Sequence, residues 1–490
     1  MNIKILLLSV VIFFPPSLRS QEKNKTKRPN VVYILTDQWR ASALGYAGNP
    51  DVKTPNLDKF SKEAVNFTNA VSVAPVCTPH RAALMTGRYP TTTGMFLNDL
   101  HLPEEELCMA EIFKTAGYDT GYLGKWHLDG HGRLNNVAPE RRQGFDYWKA
   151  LECSHNYNKM PYYENQDPQM KYWDGFSPFA IAEDANNYMA EQTKKDNPFL
   201  LFVSIATPHF PHNNAPQKYK DLYPKSELTL APNVPEEWKD ATLKELQGYY
   251  AQCTVSDEAI GSILNKIKEL DIWENTIIVF SADHGEMMGS HGARPFAKQL
   301  AWDESIKVPF LISYPSIGKN KGAIVNAPIN TPDILPSLLG LSEIEIPSTI
   351  EGENLSSLIK SPNPEIDRTA LVMSVCPIAE EYIYQEYRAI RTKQYTYVRT
   401  PDNATMLFDN IDDPYQTKNL IGNDNFQNLY IELDAKLKKA LQEIGDKNFK
   451  HRDYYLKKWN LELSNRNHAI DYFGFEEGKG VVQTPRLTHN

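Results

Sequence analysis

Three continuous apolar segments, separated by segments with helical periodicity, limit the fold more than any other feature of this sequence. They run 31–35, 199–204 and 276–281, and such uninterrupted runs are typical of strands that are buried on both faces of a sheet. A fourth strand is predicted at 119–123. Helices are predicted between the strands, at 54–60, 105–116, 181–194 and 236–270. This alternation predicts an α/β fold with a mainly parallel sheet that is covered by helices on both faces.

Polar side chains that can take part in catalysis or ligand binding follow the predicted strands directly. In chain order they are Asp37 and Gln38, Lys125 and His127, His209, and Asp283 with His284. In an open parallel sheet, ligands bind at the carboxyl ends of the strands. We therefore expect these side chains to converge on one site, although they span about half of the chain.

A candidate nucleophile, Cys77, precedes a further predicted helix. Thr78 can cap this helix, Pro79 suits its first turn, and Gly87 can end it. A thiol beside a helix N-terminus lies near partial positive charge, which favours the thiolate and also an anionic ligand. The alternative is that Cys77 is a small buried hydrophobic residue.

The sequence Cys-Thr-Pro-His-Arg at 77–81, continued by Ala-Ala-Leu-Met-Thr-Gly-Arg at 82–88, resembles the Cys-x-Pro-x-Arg signature of the type I sulfatases. Tyr-Arg-Ala-Ile-Arg at 387–391 and Leu-Phe-Asp at 407–409 resemble the carboxyl-terminal domain of that family. The resemblance implies an alkaline-phosphatase-like fold, with a large parallel or mixed sheet flanked by helices and a smaller C-terminal α+β domain with an antiparallel sheet. We predict a catalytic domain at 28–370 and a C-terminal subdomain and tail at 371–490.

The resemblance also implies a mechanism. A maturing enzyme would oxidise Cys77 to formylglycine before folding, and one hydroxyl of the hydrated aldehyde would attack sulfur and later expel sulfate. Arg81 would hold the diol, and His127 would be the base of the elimination. The cations Lys125 and Lys298 would bind the sulfate oxygens. His209, with or without Lys298, would protonate the leaving oxygen.

A divalent metal is expected beside this nucleophile. The predicted ligands are Asp37, Gln38, Asp283 and His284, which match the family's two ligand pairs. Two carboxylates and an amide oxygen suit Ca²⁺. An imidazole is a softer ligand, so Mn²⁺ and Zn²⁺ stay open at this stage.

Substrate specificity is expected outside this constellation. The segment 130–179 has no clear period and is predicted as long loops, with aromatic side chains of the kind on which sugar rings stack. Further candidate substrate contacts, each with a structural role as the alternative, are His155, His212, His291 and Arg294. We predict a sulfuric ester hydrolase for a sulfated carbohydrate, such as a glycan or glycosaminoglycan. The alternatives are a phosphonate monoester or phosphodiester hydrolase and a non-catalytic binder of sulfated glycans.

The amino terminus predicts export. Lys4 is followed by about ten apolar residues, which matches a signal peptide at 1–20. That run is too short to span a bilayer comfortably, so we expect no membrane span and a periplasmic, cell-surface or secreted protein. The net charge of −9 argues against nucleic acid as a partner. Whether the other four cysteines form disulfides is open.

Overall fold

We describe the protein from a computed structural model. The structure describes residues 28–317, 320–363, 366–376 and 385–461. The predicted signal peptide at 1–20 and the tail beyond residue 461 lie outside the described residues, and the predicted domain boundary at 370 stays a prediction. Among the helices of these ranges, none combines the length and the apolar character that crossing a bilayer requires.

Strands and helices alternate over most of the chain. The strands are β1 (Asn30–Asp37), β2 (Val65–Phe67), β3 (Ala70–Val71), β4 (Asp119–Lys125), β5 (Tyr147–Leu151), β6 (Pro161–Glu164), β7 (Asp167–Tyr172), β8 (Phe199–Pro208), β9 (Thr276–Ala282), β10 (Phe310–Ser313), β11 (Ile324–Val325), β12 (Ile329–Asn330), β13 (Ala370–Ser374), β14 (Tyr387–Arg391), β15 (Tyr395–Arg399) and β16 (Ala404–Asp409). The α-helices are α1 (Pro55–Phe60), α2 (Cys77–Thr86), α3 (Pro90–Thr93), α4 (Met109–Thr115), α5 (Ser177–Gln192), α6 (Gln217–Lys220), α7 (Lys239–Glu269), α8 (Asp303–Ile306), α9 (Thr331–Leu341), α10 (Ser356–Lys360), α11 (Gln427–Glu443) and α12 (Arg452–Lys458).

The main sheet has ten strands in the order β11-β2-β10-β9-β1-β8-β4-β5-β6-β7. Five consecutive strands, from β9 to β5 in this order, are parallel, whereas β10, β6 and β7 run antiparallel to their neighbours. Every residue of β1, β8 and β9 is buried, as the continuous apolar segments predict. The predicted α/β class is thus confirmed, and the carboxyl ends of the parallel strands share one edge.

The prediction of long loops at 130–179 is wrong in part, because β5, β6 and β7 lie there. These strands are short and at the margin of the sheet, so they alternate or carry exposed polar residues and give no apolar run. The start of α2 also differs from its prediction. The helix begins at Cys77 with Val76 as the N-cap, and Thr78 donates its hydroxyl to the carbonyl of His127 instead of capping. Gly87 ends the helix with a left-handed φ of 66°, as predicted.

A four-stranded antiparallel sheet, β13-β14-β15-β16, follows the main sheet, as expected for the carboxyl-terminal part. Arg391 on β14 donates to both carboxylate oxygens of Asp303, the first residue of α8. The carbonyl oxygens of Glu304 and Ser305 in α8 accept the N–H groups of Glu286 and Gly285. The smaller sheet is therefore tied to the loop that follows β9.

Candidate functional site

The site lies at the carboxyl ends of the parallel strands, where the strand-end argument places it. Asp37 ends β1, Lys125 ends β4, and His209 follows β8. Asp283 follows β9, and one of its carboxylate oxygens accepts the N–H of Gln38 at 3.0 Å. Since β1 lies between β8 and β9, the polar ends of three adjacent strands meet at one point.

Cys77 lies at the centre of these groups. Its Sγ is 3.3 Å from His284 Nε2, 3.5 Å from Lys125 Nζ and 3.6 Å from Lys298 Nζ. Its place as the first residue of α2 adds the partial positive charge of the helix N-terminus. Burial raises the pKa of the Cys77 thiol, but the two lysines and His284 more than offset this, and the pKa lies well below its ordinary value. Position 77 is thus built to hold an anion among cations.

Arg81 holds the two carboxylates of the site. One of its terminal nitrogens donates to Asp37 Oδ2 at 3.1 Å and to Asp283 Oδ2 at 3.0 Å. The other donates to the hydroxyl of Ser204 and to the carbonyl of Lys125, both at 2.9 Å. Arg81 therefore orients the carboxylates, which adds a role to the predicted one of holding the diol.

Asp37 stays ionised in spite of its burial. Burial alone would raise its pKa, but the nearby cations of Lys125 and Arg81 hold that pKa well below the usual range. Lys125 Nζ lies 2.5 Å from Asp37 Oδ2. A buried carboxylate that keeps its charge can bind a metal ion without first losing a proton.

The predicted metal ligands fit a divalent cation. Single ligand atoms of Asp37, Cys77, Asp283 and His284 all lie within 4.8 Å of one another. The Nδ1 atom of His284 lies 2.9 Å from the Gly285 carbonyl, so this nitrogen donates and Nε2 faces the cluster, where it would offer its lone pair to a metal ion. Two carboxylates with an imidazole form a donor set that suits a divalent metal ion.

Gln38 is oriented for the same site. Its amide nitrogen donates to Glu286 Oε2 at 2.5 Å and to the Phe296 carbonyl at 3.2 Å. Its amide oxygen therefore faces the other way, towards Lys298 Nζ at 3.1 Å. The left-handed φ of Gln38, 62°, is the kind of local strain that functional sites retain.

His209 and Lys298 form a hydrogen-bonded pair. The Nδ1 atom of His209 lies 2.7 Å from the carbonyl of Phe210, to which it donates, and Nε2 lies 3.0 Å from Lys298 Nζ. Burial and the Lys298 cation lower the pKa of His209 well below its ordinary value. The imidazole is therefore neutral, and its Nε2 accepts a hydrogen bond from Lys298 Nζ.

His127 is held by a carboxylate that the sequence did not reveal. Its Nε2 lies 2.8 Å from Asp99 Oδ1, and Arg133 donates to both oxygens of Asp99. Burial lowers the pKa of His127, but the neighbouring Cys153 thiolate and the Asp99 hydrogen bond raise it to about 9. Within the described residues, Nδ1 of His127 is buried and has no hydrogen-bond partner, so it is available for proton transfer.

Comparisons with known proteins agree with this geometry. Residues 29–344 match the sulfatase family model, and residues 289–443 match the model of the N-sulphoglucosamine sulphohydrolase C-terminal region. The chain belongs to the sulfatase family. It is 65% identical to an ulvan-active sulfatase of Formosa agariphila, over 95% of this chain and 91% of that protein.

Two further relatives extend this result. The sulfatase is 31% identical to an endo-4-O-sulfatase of Bacteroides thetaiotaomicron, over 87% of this chain and 94% of the relative. A crystal structure of a YidJ sulfatase from Bacteroides fragilis superimposes with a TM-score of 0.79 at 31% identity, over 89% of this chain and 99% of that one. The family and the alkaline-phosphatase-like fold expected from the resemblance are confirmed, and the protein is a sulfatase.

The four further candidate residues of the sulfatase have different surroundings. His155 lies beside the site and stacks on His209, with ring centroids 4.7 Å apart. His212 is buried against Glu245 and Tyr249, and its contacts indicate a packing role. The remaining two lie on the loop after β9: His291 stacks on Trp302 and contacts Glu304, and Arg294 lies over the Phe296 ring.

Sequence reasoning missed Asp99 and Cys153 near the site. Cys153 follows β5 by two residues, so the strand-end argument would have found it if β5 had been predicted. Burial raises the pKa of Cys153, but Lys125 and His127 lower it to about 5. Asp99 lies in an irregular segment with a left-handed φ of 63°, and no periodic pattern of the sequence marks it.

We predict that Asp99→Asn shifts the pH dependence of the sulfatase. The substitution removes the negative charge that favours protonated His127, so the pKa of His127 falls. As a base, His127 acts when neutral, so the rising limb of kcat against pH should move to lower pH by about one unit, and the plateau should fall about tenfold.

The control is Asp146→Asn, which changes an exposed carboxylate that is paired with Lys114. This variant should keep the wild-type pH profile. An Asp99→Asn enzyme with a lower plateau but an unmoved limb would contradict the proposed link between Asp99 and the proton on His127.

Proposed function

We propose that this sulfatase removes sulfate esters from a sulfated polysaccharide, with ulvan as the first candidate substrate. The main observation in support of this reaction is that side-chain nitrogens of Lys125, Lys298 and His284 all lie within 3.6 Å of Cys77 Sγ. The support for the substrate is the 65% identity to the ulvan-active relative.

We propose that Cys77 is converted to formylglycine by a maturing enzyme. When hydrated, that residue would supply a hydroxyl nucleophile for sulfur. Lys125 and Lys298 lie where they would bind the sulfate oxygens of the bound ester, and their charges favour the anionic transition state. Arg81 keeps the neighbouring carboxylates in place.

Proton transfer falls to two separate groups. Lys298, hydrogen-bonded to the neutral His209, protonates the leaving alcohol oxygen. His127, fixed by Asp99, accepts a proton during release of sulfate. Separating the acid from the base allows both steps to occur at one pH.

We propose Ca²⁺ as the metal of the Asp37, Gln38, Asp283 and His284 site. Three of these four side chains supply oxygen ligands, and two of the three are charged, which suits a hard cation more than Zn²⁺. When bound, the cation would supply positive charge beside position 77 and a sulfate oxygen.

We also propose export of the protein, to the periplasm, the cell surface or the medium. Lys4 and the apolar residues after it have the pattern of a signal peptide. A polysaccharide is too large to enter a cell readily, so a protein acting on the intact polymer would need to meet it outside the cytoplasm.

The phosphonate monoester or phosphodiester hydrolase is the second candidate reaction. It would use the same nucleophile and metal, so the site does not exclude it by geometry. A phosphate monoester carries one more negative charge than a sulfate monoester, and diesters carry the same charge as a sulfate ester. Charge therefore distinguishes only the phosphate monoester, and rates measured on paired esters separate the other activities. A non-catalytic binder would hydrolyse none of them.

We predict that the enzyme purified from its natural host releases sulfate from ulvan oligosaccharides, measured by ion chromatography. On paired aryl esters it should hydrolyse the sulfate at least about 10²-fold faster, in kcat/KM, than the phosphate monoester or a phosphonate monoester. Cys77→Ala should abolish turnover. A preference for the phosphonate ester would support the second candidate, and Cys77→Ala protein with undiminished activity would overturn the assigned nucleophile.

We predict that chelation inactivates the enzyme and that Ca²⁺ restores it. Bound Ca²⁺ should also raise the melting temperature of the wild-type protein, because a ligand that binds only the folded state stabilises it. The Asp283→Asn variant should lose both responses. Recovery with Mn²⁺ or Zn²⁺ but not with Ca²⁺ would contradict the assignment of the ion.

A further inference from the structure

We infer that Phe296 is the platform on which the sulfated sugar ring stacks during catalysis. This inference rests on the proposed function and specifies how the saccharide, as opposed to its sulfate, is held. It assigns a binding role to a side chain that has no part in the chemistry at position 77.

The exposure of the catalytic groups shows where a substrate enters. Cys77, Lys125, His284 and His209 are each at most 3% exposed, so the cluster is closed on those sides. Lys298 is only partly buried, and Phe296, two residues before it, is 36% exposed. The open side of the site therefore lies beside Lys298, and the Phe296 ring borders it.

Phe296 also lies at the end of a continuous row of rings that starts at His209, beside the proton donor Lys298. His209, which is bonded to Lys298, stacks on Phe210 with centroids 4.4 Å apart. Phe210 packs on Phe296 with centroids 5.2 Å apart. The leaving oxygen, which Lys298 protonates, is bonded to a carbon atom of the sugar, so the sugar lies next to this row.

The backbone of Phe296 is hydrogen-bonded on both sides, to Glu286 and to the predicted metal ligand Gln38. Its N–H donates to Glu286 Oε1 at 2.6 Å, and its carbonyl oxygen accepts the amide of Gln38 at 3.2 Å. Its φ is 70°, a conformation that a bulky residue rarely adopts and that persists only where the surroundings enforce it. The chain thus holds an exposed phenyl ring in a fixed place relative to the nucleophile.

The chemistry of the platform selects a saccharide. One face of a pyranose ring presents C–H groups, which pack well on the face of an aromatic ring, whereas an alkyl side chain gives less contact and no π face. The guanidinium of Arg294, 5.8 Å from the centroid of Phe296, lies where it can meet the polar edge of such a sugar. An aliphatic sulfate ester would gain little binding energy from contact with the Phe296 ring.

The test measures binding in the inactive Cys77→Ala background, by calorimetry with sulfated ulvan oligosaccharides as the probe. Phe296→Leu should raise Kd about tenfold, and Phe296→Tyr, which keeps the ring, should bind within about twofold of the parent. Phe179→Leu is the matched control, because Phe179 is the same residue at 37% exposure and packs on Tyr219 instead. It should leave Kd unchanged.

The possible failures are distinguishable. If the parent binds the oligosaccharides and Phe296→Leu binds them equally well, the platform is wrong and the proposed function stands. If Phe296→Tyr loses as much affinity as Phe296→Leu, the effect is not stacking, and the inference is also overturned. If the parent binds no sulfated oligosaccharide, both the proposed saccharide substrate and the inferred role of Phe296 are overturned. Melting temperatures of all variants identify any that fail to fold, and Phe296→Met then replaces Phe296→Leu.

Discussion

The bridge that Arg81 makes between Asp37 and Asp283 is the interaction on which the rest of the site depends. Two carboxylates that are 0% exposed lie at the ends of adjacent strands, and one guanidinium on α2 contacts both. Removing one partner from such a buried ionic network typically costs about 3–5 kcal/mol, because the remaining charges lose their compensation. Because Arg81 and Cys77 lie one turn apart on α2, the same bridge also fixes position 77 between the lysines.

Burial of the site strengthens the electrostatic interactions around position 77. Lys125 and Lys298 approach Cys77 Sγ, Lys125 is paired with Asp37, and Arg81 is paired with both carboxylates. In a low-dielectric site these pairs are stronger than in water, and they are held in place before a substrate arrives. Positive charge is thereby concentrated locally in a protein whose net charge is −9.

Much of this arrangement could be predicted from the sequence, for a physical reason. Buried parallel strands require continuous apolar runs, and the topology of a parallel sheet brings their carboxyl ends together, so Asp37, His209 and Asp283 could be placed without coordinates. Asp99 and Phe296 could not, since both lie in irregular segments at positive φ, where no periodicity marks a residue. The margin strands β5 to β7 were missed because short, partly exposed strands have no apolar run. The start of α2 was missed because tertiary contacts replace the expected cap at Thr78.

The most direct test of the account is the mass of the peptide that contains Cys77, from protein purified from its natural host. The account predicts a loss of about 18 Da relative to the unmodified cysteine peptide, since the thiol is exchanged for an aldehyde. An unmodified thiol in fully active protein would contradict it, because the cationic cluster would then surround a nucleophile of a different kind.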